Sequence, residues 1–169
     1  MVEIVKYSHA VTVIRQAIEE SRYRAAKAGN SEMLSLYYGI GKYVSENTRN
    51  GTWGSDAIRS ISIQLQQELP GLRGYSESNI KNMRQFYEEW EPFVNRQPSA
   101  GDLEVDGSSL LLEIRQPVAG DLNWNEFLAI GFSHHMEILS KVKDYDERVF
   151  YIHQCAIHAW NKYTLREYI

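Results

Sequence analysis

Apolar residues recur along most of this chain at intervals of three and four, the spacing of an α-helix with one buried side. Between about His9 and Lys27, Val11, Ile14, Ile18 and Ala25 share a side, and Gly29-Asn30 supplies a stop. Ser31 is placed to cap a second helix, roughly Glu32 to Thr48, with Leu34, Tyr37, Ile40, Gly41 and Val44 inward. Gly39 and Gly41 inside it each cost a helix up to ~1 kcal/mol relative to alanine, so close approach of another helix is expected there. After the turn at Asn50-Gly51-Thr52-Trp53-Gly54, Ser55 caps a third helix through Glu68, with Ile58, Ile61, Leu65 and Leu69 inward. Pro70-Gly71 and Gly74 then break the pattern.

The stretch from Gly74 to Trp90 is the one around which the rest is arranged. Ser76 is the predicted N-cap, able to accept from the backbone N–H of Ser78 or Asn79. Ile80, Met83, Tyr87 and Trp90 form one apolar stripe, and the opposite side carries Ser78, Lys81, Asn82 and Gln85. The helices on either side of Pro70–Gly74 read as a helix–turn–helix. A second helix with amides, a hydroxyl and a lysine on its outer side has the chemistry to enter a major groove. The alternative is an ordinary solvated helix face.

From Glu91 to Asn123 the chain changes character. Pro92, Pro98, Gly101, Gly107, Pro117 and Gly120 accompany the acidic run Asp102-Leu103-Glu104-Val105-Asp106, which predicts a long irregular connection. Asp106-Gly107 can turn a short hairpin between Leu103–Val105 and Leu110–Ile114, although a plain loop is the simpler expectation. Helical spacing resumes with a short helix from Trp124 through Ile130. A helix from His134 to Val142 follows, capped by Ser133, and then one from Asp144 or Tyr145 to about Trp160. Their inward positions are Ile138, Leu139 and Val142, then Val149, Ile152, Ala156 and Trp160. The expected fold is all-α, a multi-helix bundle containing a helix–turn–helix, with core helices at about 9–90 and 124–160 joined by 91–123. Thr164-Leu165-Arg166-Glu167 fits a capping box for a helix that the remaining residues barely continue. That pattern is expected of a larger protein divided at a domain boundary, a frayed terminus being the alternative.

With 169 residues, 43% of them hydrophobic, there is enough material for one domain with a real core. Cys155 stands by itself, so no intrachain disulfide can form, in keeping with a reducing compartment. The N-terminal residues lack the pattern of a signal peptide, and no window approaches ~18 consecutive apolar residues, so a cytoplasmic protein with no membrane span is expected. The net charge of −4 argues against a general polyanion binder. Basic groups nevertheless exceed acidic ones by 7 to 5 in residues 1–51, mainly through Arg15, Arg22, Arg24 and Lys27, whereas residues 91–169 hold 7 basic and 12 acidic groups. Glu88 and Glu89, at the end of the outward-facing helix, would repel phosphates. DNA binding would therefore be local and salt-sensitive.

Catalytic chemistry finds little support. His153-Gln154-Cys155-Ala156-Ile157-His158 has metal-ligand residue types, but positions two and five apart on a helix point away from each other, whereas ligands need i and i+4, so no metal site is expected. His134 and His135 at a helix start are best explained by packing, one ring against an aromatic and the other near solvent. Gly39-Ile40-Gly41 lacks the other marks of a phosphate loop, no Gly-x-Ser-x-Gly occurs, and Cys155 has no histidine placed beside it. Asp106 followed by Glu113-Ile114-Arg115 carries arginine where metal-dependent nucleases use lysine, and is read as a decoy. Tyr75 and Trp53, beside turns, are open to a stacking role. No cofactor is expected.

A family resemblance rests on Leu36-Tyr37-Tyr38-Gly39-Ile40-Gly41, Trp53-Gly54-Ser55, Gly74-Tyr75-Ser76, Asn79 and Met83-Arg84-Gln85-Phe86-Tyr87. It continues through Arg115-Gln116-Pro117-Val118, the run Ser133-His134-His135-Met136-Glu137-Ile138-Leu139-Ser140-Lys141-Val142-Lys143-Asp144, Glu147-Arg148, Phe150-Tyr151 and Trp160. In this order they resemble the N-terminal domain of the bacterial YhcG-like proteins, the DUF1016 family, over roughly residues 10–169. The resemblance implies an all-helical N-terminal domain followed by a PD-(D/E)xK-type nuclease domain whose motif has no match here. Gly39 stands where the family usually has an acidic residue, and residues 97–122 look extended. On this basis the chain is expected to be a non-catalytic DNA-binding, target-recognition module. Its DNA contacts would come from Ser76, Ser78, Asn79, Lys81, Asn82, Arg84 and Gln85, with Arg84 and the first helix's basic groups on phosphates. Its partners would be DNA and its own C-terminal nuclease domain. A helical protein-interaction or homodimerisation module is the alternative.

Overall fold

Eight helices and no strands occur among the described residues, 7–94 and 122–169, of this computed structural model. They are α1 (Ser8–Ala28), α2 (Asn30–Arg49), α3 (Ala57–Glu68), α4 (Glu77–Val94), α5 (Trp124–Ala129), α6 (Phe132–Lys141), α7 (Tyr145–His158) and α8 (Lys162–Tyr168). The side chains of residue 20 and residues 22–28 fall outside the description, and so do residues 95–121, where the hairpin and the acidic decoy were expected. The all-helical architecture agrees with the periodicity.

The closest helix pair is α2 against α4. A Cβ added to Gly41 would lie 2.7 Å from the Met83 carbonyl carbon, closer still to its oxygen, and 3.0 Å from the Tyr87 Cβ. Absence of a side chain lets the two backbones touch, which compensates the helix cost of glycine. Val11, Ile14 and Ile18 of α1 are buried, and α1 packs on both α2 and α3. Ile80, Met83, Phe86 and Trp90 of α4 are all fully buried. Phe86 and Trp90 carry the core onward: their rings lie 6.1 and 5.2 Å from Phe127 of α5, and Phe86 lies 5.3 Å from Phe132 of α6. Helices from both sides of residues 95–121 thus share one apolar interior.

The caps depart from expectation at several ends. α2 begins at Asn30 with Gly29 at the N-cap in a left-handed conformation (φ 61°), so Ser31 lies inside the helix. The Asn30 amide instead donates to the carbonyls of Leu128 and Ile130, both at 2.8 Å, tying α2 to the end of α5. Asp56 rather than Ser55 precedes α3, and Gly131 rather than Ser133 precedes α6, neither with a side-chain cap bond. At α8, Asn161 accepts from the backbone N–H groups of Tyr163 and Thr164, so Thr164 sits in the first turn and the expected capping box does not form. Ser76 does cap α4, accepting from the Asn79 N–H at 3.2 Å. That helix runs through Pro92 to Val94, beyond the expected start of the irregular connection, with Val94 buried and Phe93 stacked on Tyr145 at 3.9 Å.

The link between α3 and α4 runs from Leu69 to Ser76, about twice the three or four residues of a helix–turn–helix turn. Gly71 and Gly74 hold positive φ, and the buried Ser62 hydroxyl donates to the Tyr75 carbonyl at 2.7 Å.

Candidate nucleic-acid interface

α4 positions the expected site. Its buried stripe fixes the helix, and Ser78, Lys81, Asn82 and Gln85 lie on its remaining surface. Ser78 and Lys81 are exposed; Asn82 and Gln85 are half-buried. Ser76 and Asn79 serve the turn, since Asn79 also donates from its side chain to the Gly74 carbonyl at 2.5 Å. The Arg84 guanidinium donates to Thr48 Oγ1 at 3.2 Å and lies 4.0 Å from Glu88, so it leans toward α2. Lys81 pairs with Glu77 at 2.6 Å and holds that carboxyl below the usual range. Both groups face water, where such a pair is weak and readily exchanged for another partner.

The acidic residues of α4 do not behave as the sequence suggested. Glu88 accepts two hydrogen bonds from Arg49 of α2, at 2.8 and 2.9 Å, and one from Ser45 at 2.7 Å. The Arg49 contact leads in holding its carboxyl below the ordinary value. Glu89 accepts from the buried Arg148 of α7 at 2.8 Å. The same guanidinium donates to the Val142 carbonyl at 2.9 Å and lies 5.9 Å from the centre of the Trp90 ring. These two carboxylates therefore clamp α4 in place, and their charge is offset where a phosphate would approach.

Beside α4 runs α6, and between them opens a groove of about 350 Å³. Asn82 and Gln85 of α4 line one side, Ser133, Phe132 and Met136 of α6 line the other, and Lys162 of α8 completes the lining. Asn82, Gln85, Ser133 and Lys162 have no side-chain partner among the described residues. Glu137 also borders the groove, but Arg166 grips it in two bonds of 2.8 and 2.9 Å, and Lys141 lies 3.1 Å away. The Arg166 bonds, with help from Lys141, hold its carboxyl down at about 2. The sequence reads Ser133 as a cap and Met136 as part of a family run, and it gives Lys162 no role. Each comes from a helix at least 47 positions beyond Gln85, and no local spacing announces that they meet.

Other sequence candidates are accounted for by packing. Trp53 is wedged edge-on between Tyr7 and Tyr43, and Tyr75 is buried edge-on against Tyr37, so neither is free to stack on a base. Arg15 pairs with Glu68 at 3.2 Å. The side chains of Arg22, Arg24 and Lys27 lie outside the described set. His153 contacts Glu126 at 2.9 Å, and burial pushes the Cys155 thiol up to about 11, far from a reactive thiolate. His135 is fully buried among Phe86, Trp90 and Phe127, while the half-buried His134 meets the Trp160 carbonyl at 2.8 Å. No group of three histidine, cysteine or acidic residues placed to hold a metal occurs among the described residues. None of the described helices is long and apolar enough to cross a membrane.

Residues 13–169 match the family described as the DUF1016 N-terminal domain. The chain is also 26% identical, over 160 residues, to the Escherichia coli (strain K12) protein named "Putative nuclease YhcG". That match takes in 90% of this chain but 41% of the relative, so the chain spans less than half the relative's length. No solved structure matches.

Proposed function

The chain belongs to the DUF1016 N-terminal domain family, and on that premise we propose that it is the DNA-recognising, non-catalytic part of a nuclease whose cutting chemistry lies in a C-terminal domain. The observation that carries this reading is the polar row of α4. Its amides and Ser78 keep their hydrogen-bonding groups open, while Glu88 and Glu89 on the same helix are engaged by Arg49 and Arg148. Lys81 supplies an exposed cation in the row. In this reading α3 and α4 act as a helix–turn–helix with a lengthened turn, held by Ser76 and Asn79. Ser78, Lys81, Asn82 and Gln85 meet the nucleic acid, and Arg84 is the cation on the α2 side.

Duplex binding followed by fluorescence anisotropy across roughly 50 to 200 mM salt tests it, because phosphate contacts make affinity fall steeply over that range. The expected result is salt-dependent binding whose log–log slope drops by about 1 in Lys81→Ala, the signature of one lost phosphate contact. Absence of binding at low salt, or a slope that Lys81→Ala leaves untouched, would sink the proposal.

One observation favours a second reading, an interaction module. Phe150 and Ile157 are 54% and 52% exposed and sit two turns apart on one side of α7. Concentration-dependent self-association without any DNA affinity would select it.

A further inference from the structure

The groove beside α4 is a poor fit to paired bases. A major groove about 12 Å wide admits one helix. Two packed helices, with axes about 8–10 Å apart and diameters of about 10 Å, span roughly one and a half times that. Because α6 flanks α4 along the wall that carries Asn82 and Gln85, their amides cannot reach the edges of bases still inside an undistorted duplex. They can reach a base that comes to them.

The groove has the parts to hold one. Asn82 and Gln85 lie three residues apart and offer both donors and acceptors, as a base edge requires. The half-buried Met136 provides the apolar surface against which a base can rest, beside the rim of the buried Phe132 ring. Lys162 has no acidic partner among the described residues. Glu137 is outnumbered by Arg166 and Lys141, which leaves the local balance positive and suited to a phosphate.

We propose that this groove takes a single unpaired nucleotide of DNA, with its base against Met136, its edge on Asn82 and Gln85, and its phosphate at Lys162. The proposal rests on the DNA-recognition reading and adds the form of DNA that is preferred. Extruding a base from a perfect duplex costs a few kcal/mol, and a nucleotide that is already unpaired avoids that cost.

The test compares two fluorescein-labelled DNAs of the same sequence, a perfect duplex and the duplex carrying one unpaired adenine. The bulged duplex is expected to bind at least about tenfold tighter. In Asn82→Ala/Gln85→Ala the ratio should collapse toward one. Lys162→Ala, at the first position of α8 and outside the buried core, should lower the ratio independently if the double variant folds poorly. Equal, salt-dependent binding of both DNAs overturns the groove proposal and leaves the DNA reading standing. A preference that survives in all these variants also overturns it, because the unpaired base would then sit elsewhere. Failure of both DNAs to bind overturns both readings.

Discussion

Replacing Gly41 with alanine is expected to cost roughly 3 kcal/mol of stability, although alanine is the better helix former by up to about 1 kcal/mol. The added methyl would fall on the Met83 carbonyl, with the Tyr87 Cβ 3.0 Å away. Both are fixed by the α4 backbone, so no rotamer change makes room, and α2 and α4 must move apart. That movement loosens the helix on which the polar row is mounted and breaks its register with α6. Gly54→Ala is the matched control. Its methyl meets just the Tyr7 hydroxyl at 3.6 Å, ordinary contact, and should change stability by less than about 0.5 kcal/mol. Urea denaturation of both variants checks the contrast, and equal midpoints would contradict the close approach.

A second large effect concerns acid. His135 is wholly buried, and desolvation by the surrounding rings drives its imidazole down to about 3, against a bond to the Phe127 carbonyl that pushes the other way. An unfolded chain titrates this ring near 6.5. Between those two values the unfolded state holds the extra proton, so stability is complete above about 6.5 and falls as pH drops, by ~1.4 kcal/mol per unit. Wild type should therefore lose about 2 kcal/mol more between pH 7 and 5 than His135→Gln does, from this ring alone. Glu137 does not confuse the comparison. Its folded carboxyl lies at about 2, so the stability it contributes is kept above its unfolded value of 4.5 and is lost only as pH falls from there to about 2. Chemical denaturation at the two pH values gives the answer, and parallel losses in the two proteins would contradict a neutral, buried His135.

Much of this arrangement could be read directly. Of the stripe Ile80, Met83, Tyr87 and Trp90, Tyr87 is half-buried and the other three mark the buried side of α4, where Phe86 joins them; Ser76 marked its start, and the cost of Gly41 inside a helix pointed to another helix pressed against it. These are local signals, written within a few turns of the residues concerned. The cap expected at Ser31 shifted where a tertiary contact intervened, the Asn30 amide reaching Leu128 and Ile130 some hundred positions away, whereas the capping box at Thr164 gave way to a local rival, Asn161. Glu88 and Glu89 looked like a repulsive end because their partners, Arg49 and Arg148, are 39 and 59 positions distant. The groove was hidden for the same reason. Asn82 and Gln85 were visible as polar positions, but the opposing Ser133 and the cation at Lys162 arrive through the packing of α6 and α8, which helical spacing does not encode.

The central claim is that nucleic acid is met on the polar surface of α4. The most direct measurement is a nitrogen-edited NMR titration of the isotope-labelled chain with short DNA. The account predicts that the side-chain amide signals of Asn82 and Gln85 and the backbone signals from Ser78 to Gln85 move together and saturate. Signals that stay fixed there while those around Phe150 and Ile157 on α7 move would contradict it.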